Sequence, residues 1–395
     1  MLDRLTLSGL RSCVDTTAID LQPLTVIAGP NNVGKSTFIG ALLALVQSQQ
    51  AASRHRLLLS GEWVDLGPFN ELLSPDRDRF SIGVEGSRDG EPLSVVWDLV
   101  EVPERRTRPE ARVATIEAVL GEDATRIEVS SDGTIARGSM QLLHPAAVLR
   151  VGQSELRLLP HAAEQVVAVG PYRAPPELLT PFRTSSAGSL VGRYGQYAAE
   201  AFWQVQDRTP DVMPPGTTTA DTLAHAMNAW WSYILGDQIA LKVSQEARFG
   251  FSVRLDTSGV FDRSLGQVGF GLSQLWPILV ACLGSRPGDL VIIETPEAHL
   301  HPGAQHRLAG LFVALARGGR QVIVETHSEH VVAAACIAVK RRELAASHLA
   351  LSFVSQIDGR TRVERIEVDE SGRKLSAPEG FFDQSAGELL ELLRP

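Results

Sequence analysis

Two stretches of the 395-residue sequence carry residues whose types and spacing could do chemistry. The first is AGPNNVGKST, residues 28–37, which sets Gly29, Gly34, Lys35 and Ser36 in the order G-x-x-x-x-G-K-[ST]. Glycines at these points let backbone N–H groups turn inward around a chain of phosphates, and Asn31, Asn32 and Val33 supply the amides between them. Lys35 would place a point charge at the terminal phosphate oxygens. The Ser36 hydroxyl could ligate Mg²⁺, and Thr37 follows in the first turn of a helix whose positive end also favours phosphate. An apolar run, LTVIAG, precedes the motif and reads as a buried strand, and STFIGALLALVQSQ follows it as an interior helix. Strand before and helix after is the setting this loop needs, so the segment implies a site for a nucleoside triphosphate with Mg²⁺, and the resemblance given below implies that the nucleotide is ATP.

The second stretch is LVIIETPEAHLHP, residues 290–302. Four apolar residues and then Glu294 describe a buried strand that delivers a carboxylate at its C-terminal edge, where open parallel sheets bind ligands. Such a carboxylate holds Mg²⁺ in P-loop enzymes. A competing reading takes Glu297, His299, His301 and His306 as ligands of a metal-dependent hydrolase. The HSEH stretch at 327–330 spaces its histidines compatibly, but no H-E-x-x-H helix is present. Turn residues that pair with backbone or with a neighbouring subunit are the plainer account of His299 and His301.

The elements that must position these residues follow from periodicity. LDRLTLSGL and TTAIDL read as paired strands, and residues 80–160 as short strands with turn signals, including a hairpin turn at SDG, residues 131–133. GPYRAPPELLTPF opens a more helical stretch, in which ADTLAHAMNAWWSYILG is amphipathic and Trp230 and Trp231 are packing residues. ARFGFSVRLDTSGVF reads as a hairpin. After residue 263 helix and strand alternate: helix 273–284, strand 290–294, helix 303–317, strand 320–326 and helix 328–343, the grammar of an α/β fold.

Composition bounds the rest. Apolar residues make up 44% and charged residues 21%, and the net charge of −9 gives no general attraction to nucleic acid or anionic membrane. The basic stretches at 104–112 and 340–343 both carry acids. Three widely spaced cysteines argue against a disulfide framework and suit a reducing cytoplasm. The longest apolar runs are about half a membrane span, and no secretory signal is read. The expectation is a cytoplasmic protein with no membrane partner.

In this order the motifs resemble ABC-type ATPase heads: the P-loop, then GFGLSQ at 269–274, IIETPEAHLHP and VIVETHS. The resemblance is greatest to the standalone ATPases akin to the overcoming-lysogenization-defect (OLD) nucleases, with PEAHLHP and ETHSEH as the more specific parts. EGFFDQ, residues 379–384, is similar to the small C-terminal domain of one branch of these ATPases. The resemblance implies four segments: 1–75, the first half of the head; 76–262, a globular insertion, β-rich and then helical; 263–344, the second half; and 345–395, a small α+β segment. It implies that Gly271 and Ser273 stand in the signature, with Ser273 opening a helix toward the γ-phosphate of a second subunit, and that His327 is the switch histidine. Glu294 takes the place of the Mg²⁺-holding acid, and Thr295 that of the catalytic glutamate. A positioned general base contributes about 10²–10⁴-fold, so turnover should be slow unless Glu297 or Glu294 itself polarises the attacking water. No γ-phosphate-sensing glutamine is placed. The insertion lacks heptads and is no coiled-coil arm.

The implied function is a homodimeric, nucleotide-gated switch, the ATPase subunit of a genome-maintenance or anti-phage system with a separate effector such as a nuclease. Nucleic acid is a further partner to test. Two other readings are an ATP-dependent scaffold with negligible turnover and the metal-dependent hydrolase. A DNA translocase fits least.

Overall fold

The computed structural model describes residues 1–48, 56–88, 91–102, 110–130, 148–151, 154–157, 166–175, 177–180, 182–183, 189–217, 219–236, 238–247, 249–257, 260–376, 378 and 381. The SDG turn and most of EGFFDQ lie outside them. The site rests on a six-stranded sheet in the order Val166–Val169, Leu290–Glu294, Gln321–Thr326, Leu24–Ala28, Leu349–Ile357 and Arg360–Ile366. The first five strands run parallel, and the last pairs antiparallel at the edge. Both faces of the parallel strands are covered, which is why LTVIA and QVIVET are buried throughout and read as unbroken apolar runs.

Alternation along the strands divides the core in two. Ile27, Ala168, Ile292, Ile323 and Val354 face the helix Lys35–Ser48 and, beyond it, a seven-stranded antiparallel sheet. That helix is therefore sandwiched between two sheets and buried along nearly its whole length, as an all-round apolar helix must be. Val26, Val167, Val291, Ile293, Val322 and Val324 face the other way. They pack on the helices Ala198–Val205, Leu223–Leu235, Phe270–Gly284, Pro302–Arg317 and Glu329–Lys340. Trp230 and Trp231 are fully buried in this second core, as packing residues.

The stretch 76–262 does not stand apart from the head. Arg79–Arg88 pairs with Leu2–Ser8, so the strands after residue 76 complete a sheet that the N-terminus begins. Val166–Val169 is itself a strand of the parallel sheet, next to Leu290–Glu294. The head is closed by segments far apart in sequence. Cys13, Cys282 and Cys336 are buried free thiols. No helix among the described residues is long and apolar enough to cross a membrane.

Candidate nucleotide site at the sheet edge

The chain leaves the strand Leu24–Ala28 through a loop that only glycine can form at two points. Gly29 has φ +148° and Gly34 φ +103°. A Cβ on Gly29 would collide with the Val354 carbonyl, and one on Gly34 would lie 2.5 Å from Thr361 Oγ1. Thr361 Oγ1 donates to the Val33 carbonyl at 2.8 Å and shares a 2.7 Å hydrogen bond with Ser12 Oγ, so the loop is braced from beneath by the edge strand. Lys35 is buried, and its Nζ donates to the Gly29 carbonyl at 3.0 Å and to the Pro30 carbonyl. Burial lowers the Lys35 pKa, and the charges of Glu325 and Glu297 oppose that shift.

Opposite the loop stand three carboxylates. Glu294 and Glu325 are in-register neighbours on adjacent parallel strands. The strand carrying Glu325 lies between the Glu294 strand and the P-loop strand, so Glu325 is the acid that meets the loop: Ser36 Oγ donates to its Oε1 at 2.8 Å. Glu294, expected to share Mg²⁺ with Ser36, sits one strand further away. Glu297 follows in the next turn, where its Oε1 accepts the His327 amide at 2.6 Å.

Burial pushes the Glu294 carboxyl up to about 7, the charge of Glu325 adds to this, and Arg193 and Arg173 oppose it. Glu325 is raised by burial and by Glu297, against Ser36 and Lys35. Burial and Lys35 lower the His327 pKa, against Glu297 and a hydrogen bond with the Gly29 backbone. Glu297 Oε2 and Glu325 Oε2 are buried with no hydrogen-bond partner among the described residues. Buried carboxylate oxygens of this kind need a proton or a cation. Hard oxygen donors beside a serine hydroxyl fit Mg²⁺, and Ser36 and Glu325, with Glu294 behind them, would be the residues to hold it. The adjoining cleft, of about 590 Å³, is lined by Asn31 to Thr37, by Arg11, Ser12, Pro171, Thr295, Glu325, His327 and Gln356.

The H-x-H pair is built into the backbone. His301 is the N-cap of helix Pro302–Arg317, its Nδ1 accepting the Gly303 amide at 3.3 Å. His299 has φ +62°, and its ring meets Phe270 edge-on with centroids 4.6 Å apart. Among the described residues no group of three or more His, Cys, Asp or Glu is placed to hold a metal. Helix capping and a tight turn explain the pattern that suggested a hydrolase.

The signature segment needs a correction. Its helix opens at Phe270, with Gly269 as N-cap, rather than at Ser273. Ser273 is buried in the first turn, where its Oγ donates to the Phe270 carbonyl at 2.7 Å and so turns back on its own helix. The exposed residues of the helix opening are Gly269 and Phe270. Gly271 lies against the loop of His299, whose carbonyl would be 2.6 Å from an added Cβ.

Sequence reasoning missed Glu325, although QVIVE ends an apolar strand in the same manner as LVIIE. It also missed Ser12 and Thr361, for which no local signal exists.

With this geometry in view, comparisons place the chain among known folds. Residues 202–333 match the family described as "AAA domain, putative AbiEii toxin, Type IV TA system", and residues 344–392 match "Protein of unknown function (DUF3696)". A search of curated proteins finds no match. Among solved structures, the chain is similar to an Smc head domain with an extended coiled coil bound to the C-terminal domain of ScpA, derived from Pyrococcus furiosus: 13% identity, TM-score 0.54, covering 100% of this chain and 99% of that one. It is also similar to an SmcHead bound to the C-winged helix domain of ScpA (14% identity, TM-score 0.52, 94% and 98% covered). The SMC head domain from Thermotoga maritima gives 15% identity and a TM-score of 0.44, with 93% and 99% covered. At such identities the likeness concerns the fold. Fold and site define an α/β P-loop NTPase similar to SMC heads and ABC ATPases. Within that class, residues 202–333 are similar to the AAA domain family, and the chain as a whole shares its fold with the Smc heads.

Proposed function

We propose that this chain is a slow, Mg²⁺-dependent ATPase that acts as a nucleotide-gated homodimeric switch. In this reading it is the ATPase subunit of an OLD-like genome-maintenance or anti-phage system whose effector, such as a nuclease, is a separate chain. The observation that carries the reading is the cluster of Lys35, Ser36, Glu325, Glu297 and His327 at one sheet edge, together with two buried carboxylate oxygens that lack partners among the described residues. Lys35, Ser36 and the amides of residues 29–37 would hold the triphosphate. Mg²⁺, when bound, would neutralise the terminal phosphates and the carboxylates. Glu297 has one oxygen tied to the His327 amide and the other without a partner among the described residues, which suits it to orient a water, with Glu294 as the second candidate.

Thr295 supplies no carboxylate, which favours a long-lived ATP state over rapid cycling. The exposed helix opening at Gly269–Phe270 is where a second subunit would engage the γ-phosphate, through backbone amides of Gly269 to Gly271. Two of the solved heads are bound to ScpA domains, which supports a protein effector for this chain as well.

Light scattering on the full chain tests the switch. The Glu297→Gln variant with ATP and Mg²⁺ should double its mass, and wild type should return to monomer as ATP is consumed. A mass that ignores nucleotide in both proteins would rule out ATP-gated dimerisation, and a dimer that persists without phosphate release would select the scaffold.

A further inference from the structure

Arg173 lies in the GPYRAPPELLTPF stretch, outside the P-loop and the two carboxylate-ending strands, and its surroundings are unusual for an arginine. It follows the strand Val166–Val169, on the far side of the Glu294 strand from the P-loop. Its guanidinium is buried, with 5% of the residue exposed. Nη2 donates to the carbonyls of Glu294 at 2.7 Å and Thr295 at 2.9 Å, while Nε and Nη1 have no hydrogen-bond partner among the described residues. A cation buried for two main-chain carbonyls must be justified by what those carbonyls do.

They flank Thr295, whose φ of +48° is a left-handed conformation that strains a β-branched residue. From the other side the Thr295 amide donates to the Glu325 carbonyl at 2.8 Å. The turn from Glu294 to Glu297 is thus gripped by both neighbouring strands. Arg173 is itself held in place, because Gly170 N–H donates to the Arg193 carbonyl and Ala174 N–H to the Tyr194 carbonyl, each at 2.8 Å.

We propose that Arg173 is a positioning residue: it holds Thr295 in its left-handed conformation and thereby sets the Glu294 and Glu297 carboxylates against the P-loop. The proposal rests on the ATPase reading for its effect on turnover, but not for its effect on the turn.

Four variants of the full chain test it. Arg173→Met should lower kcat for ATP about tenfold by freeing a strained conformer, with KM changed less than about twofold because Arg173 is outside the phosphate cleft. Arg173→Lys, which can still donate to both carbonyls, should recover most of the loss. Adding Thr295→Gly to Arg173→Met should recover it without any cation, since glycine takes a positive φ unstrained. Arg173→Gln replaces the methionine variant if that one does not fold.

In nucleotide-free protein, amide exchange across residues 294–298 should quicken about tenfold in Arg173→Met and change little in Arg173→Lys. Unchanged exchange would overturn the proposal, as would a loss confined to KM or a failure of glycine to restore kcat. A wild type that releases no phosphate would end the ATPase reading, and exchange would still decide the role of Arg173.

Discussion

Lys35→Ala should weaken ATP binding by at least about a hundredfold, roughly 3 kcal/mol at 1.4 kcal/mol per decade. Lys35 is a buried ammonium, and the carbonyls of Gly29 and Pro30 already aim it across the mouth of the loop. Glu325 and Glu297 both act on its charge. Removing it deletes the cation that a phosphate would meet and leaves those carboxylates facing the incoming anion. Truncating one partner of a buried charged pair costs about 2–5 kcal/mol for this reason. Titration with a fluorescent ATP analogue measures the effect. An affinity within a few-fold of wild type would show that the loop does not hold phosphate.

Glu294→Gln should slow ATP turnover by about a hundredfold, within the range for loss of an acid–base or metal-holding carboxylate. It should also change how the nucleotide-free protein responds to pH. The Glu294 carboxyl, at about 7 in the folded chain against an ordinary 4.5, keeps a proton that the unfolded chain releases. The resulting stability is fully present below about pH 4.5 and is lost as pH rises through 7, to a total of about 3 kcal/mol at 1.36 kcal/mol per unit. In EDTA, wild type should therefore melt several degrees lower at pH 8 than at pH 5, and Glu294→Gln should lose most of that difference. Scanning calorimetry at the two pH values decides. An identical slope in both proteins would show that Glu294 is not the buried acid responsible.

The sheet edge was legible in the sequence because buried parallel strands are written as unbroken apolar runs that end in a chemical residue. LTVIA into Gly29, LVII into Glu294 and QVIV into Glu325 share this form. The P-loop added its own spacing, so the α/β fold and the glycine-bent loop between strand and helix could be read directly. What was not legible depends on pairing over long separations. Nothing local in Leu2–Ser8 announces that Arg79–Arg88 will join it, or that Val166–Val169 will lie beside Leu290–Glu294. The stretch 76–262 thus contributes strands to both large sheets.

The same reason hid Ser12, Thr361 and Arg173, whose roles exist only where distant segments meet. Glu325 was hidden differently: its motif drew attention to His327, two residues on. For the H-x-H pair the plainer reading of the sequence, turn residues that pair with backbone, agrees with the helix cap and left-handed turn found there. Ser273 shows the limit of motif position as a guide. One turn of helix separates an exposed amide from a buried hydroxyl.

The central claim is that one sheet edge assembles a Mg²⁺–triphosphate site from Lys35, Ser36 and the neighbouring carboxylates. Calorimetric titration of the full chain with ATP, with and without Mg²⁺, tests it most directly. Saturable binding of about one ATP per chain, tightened at least about tenfold by Mg²⁺ in wild type but not in Glu325→Gln, is the expected result. No measurable binding, or binding that Mg²⁺ strengthens equally in both proteins, would contradict it.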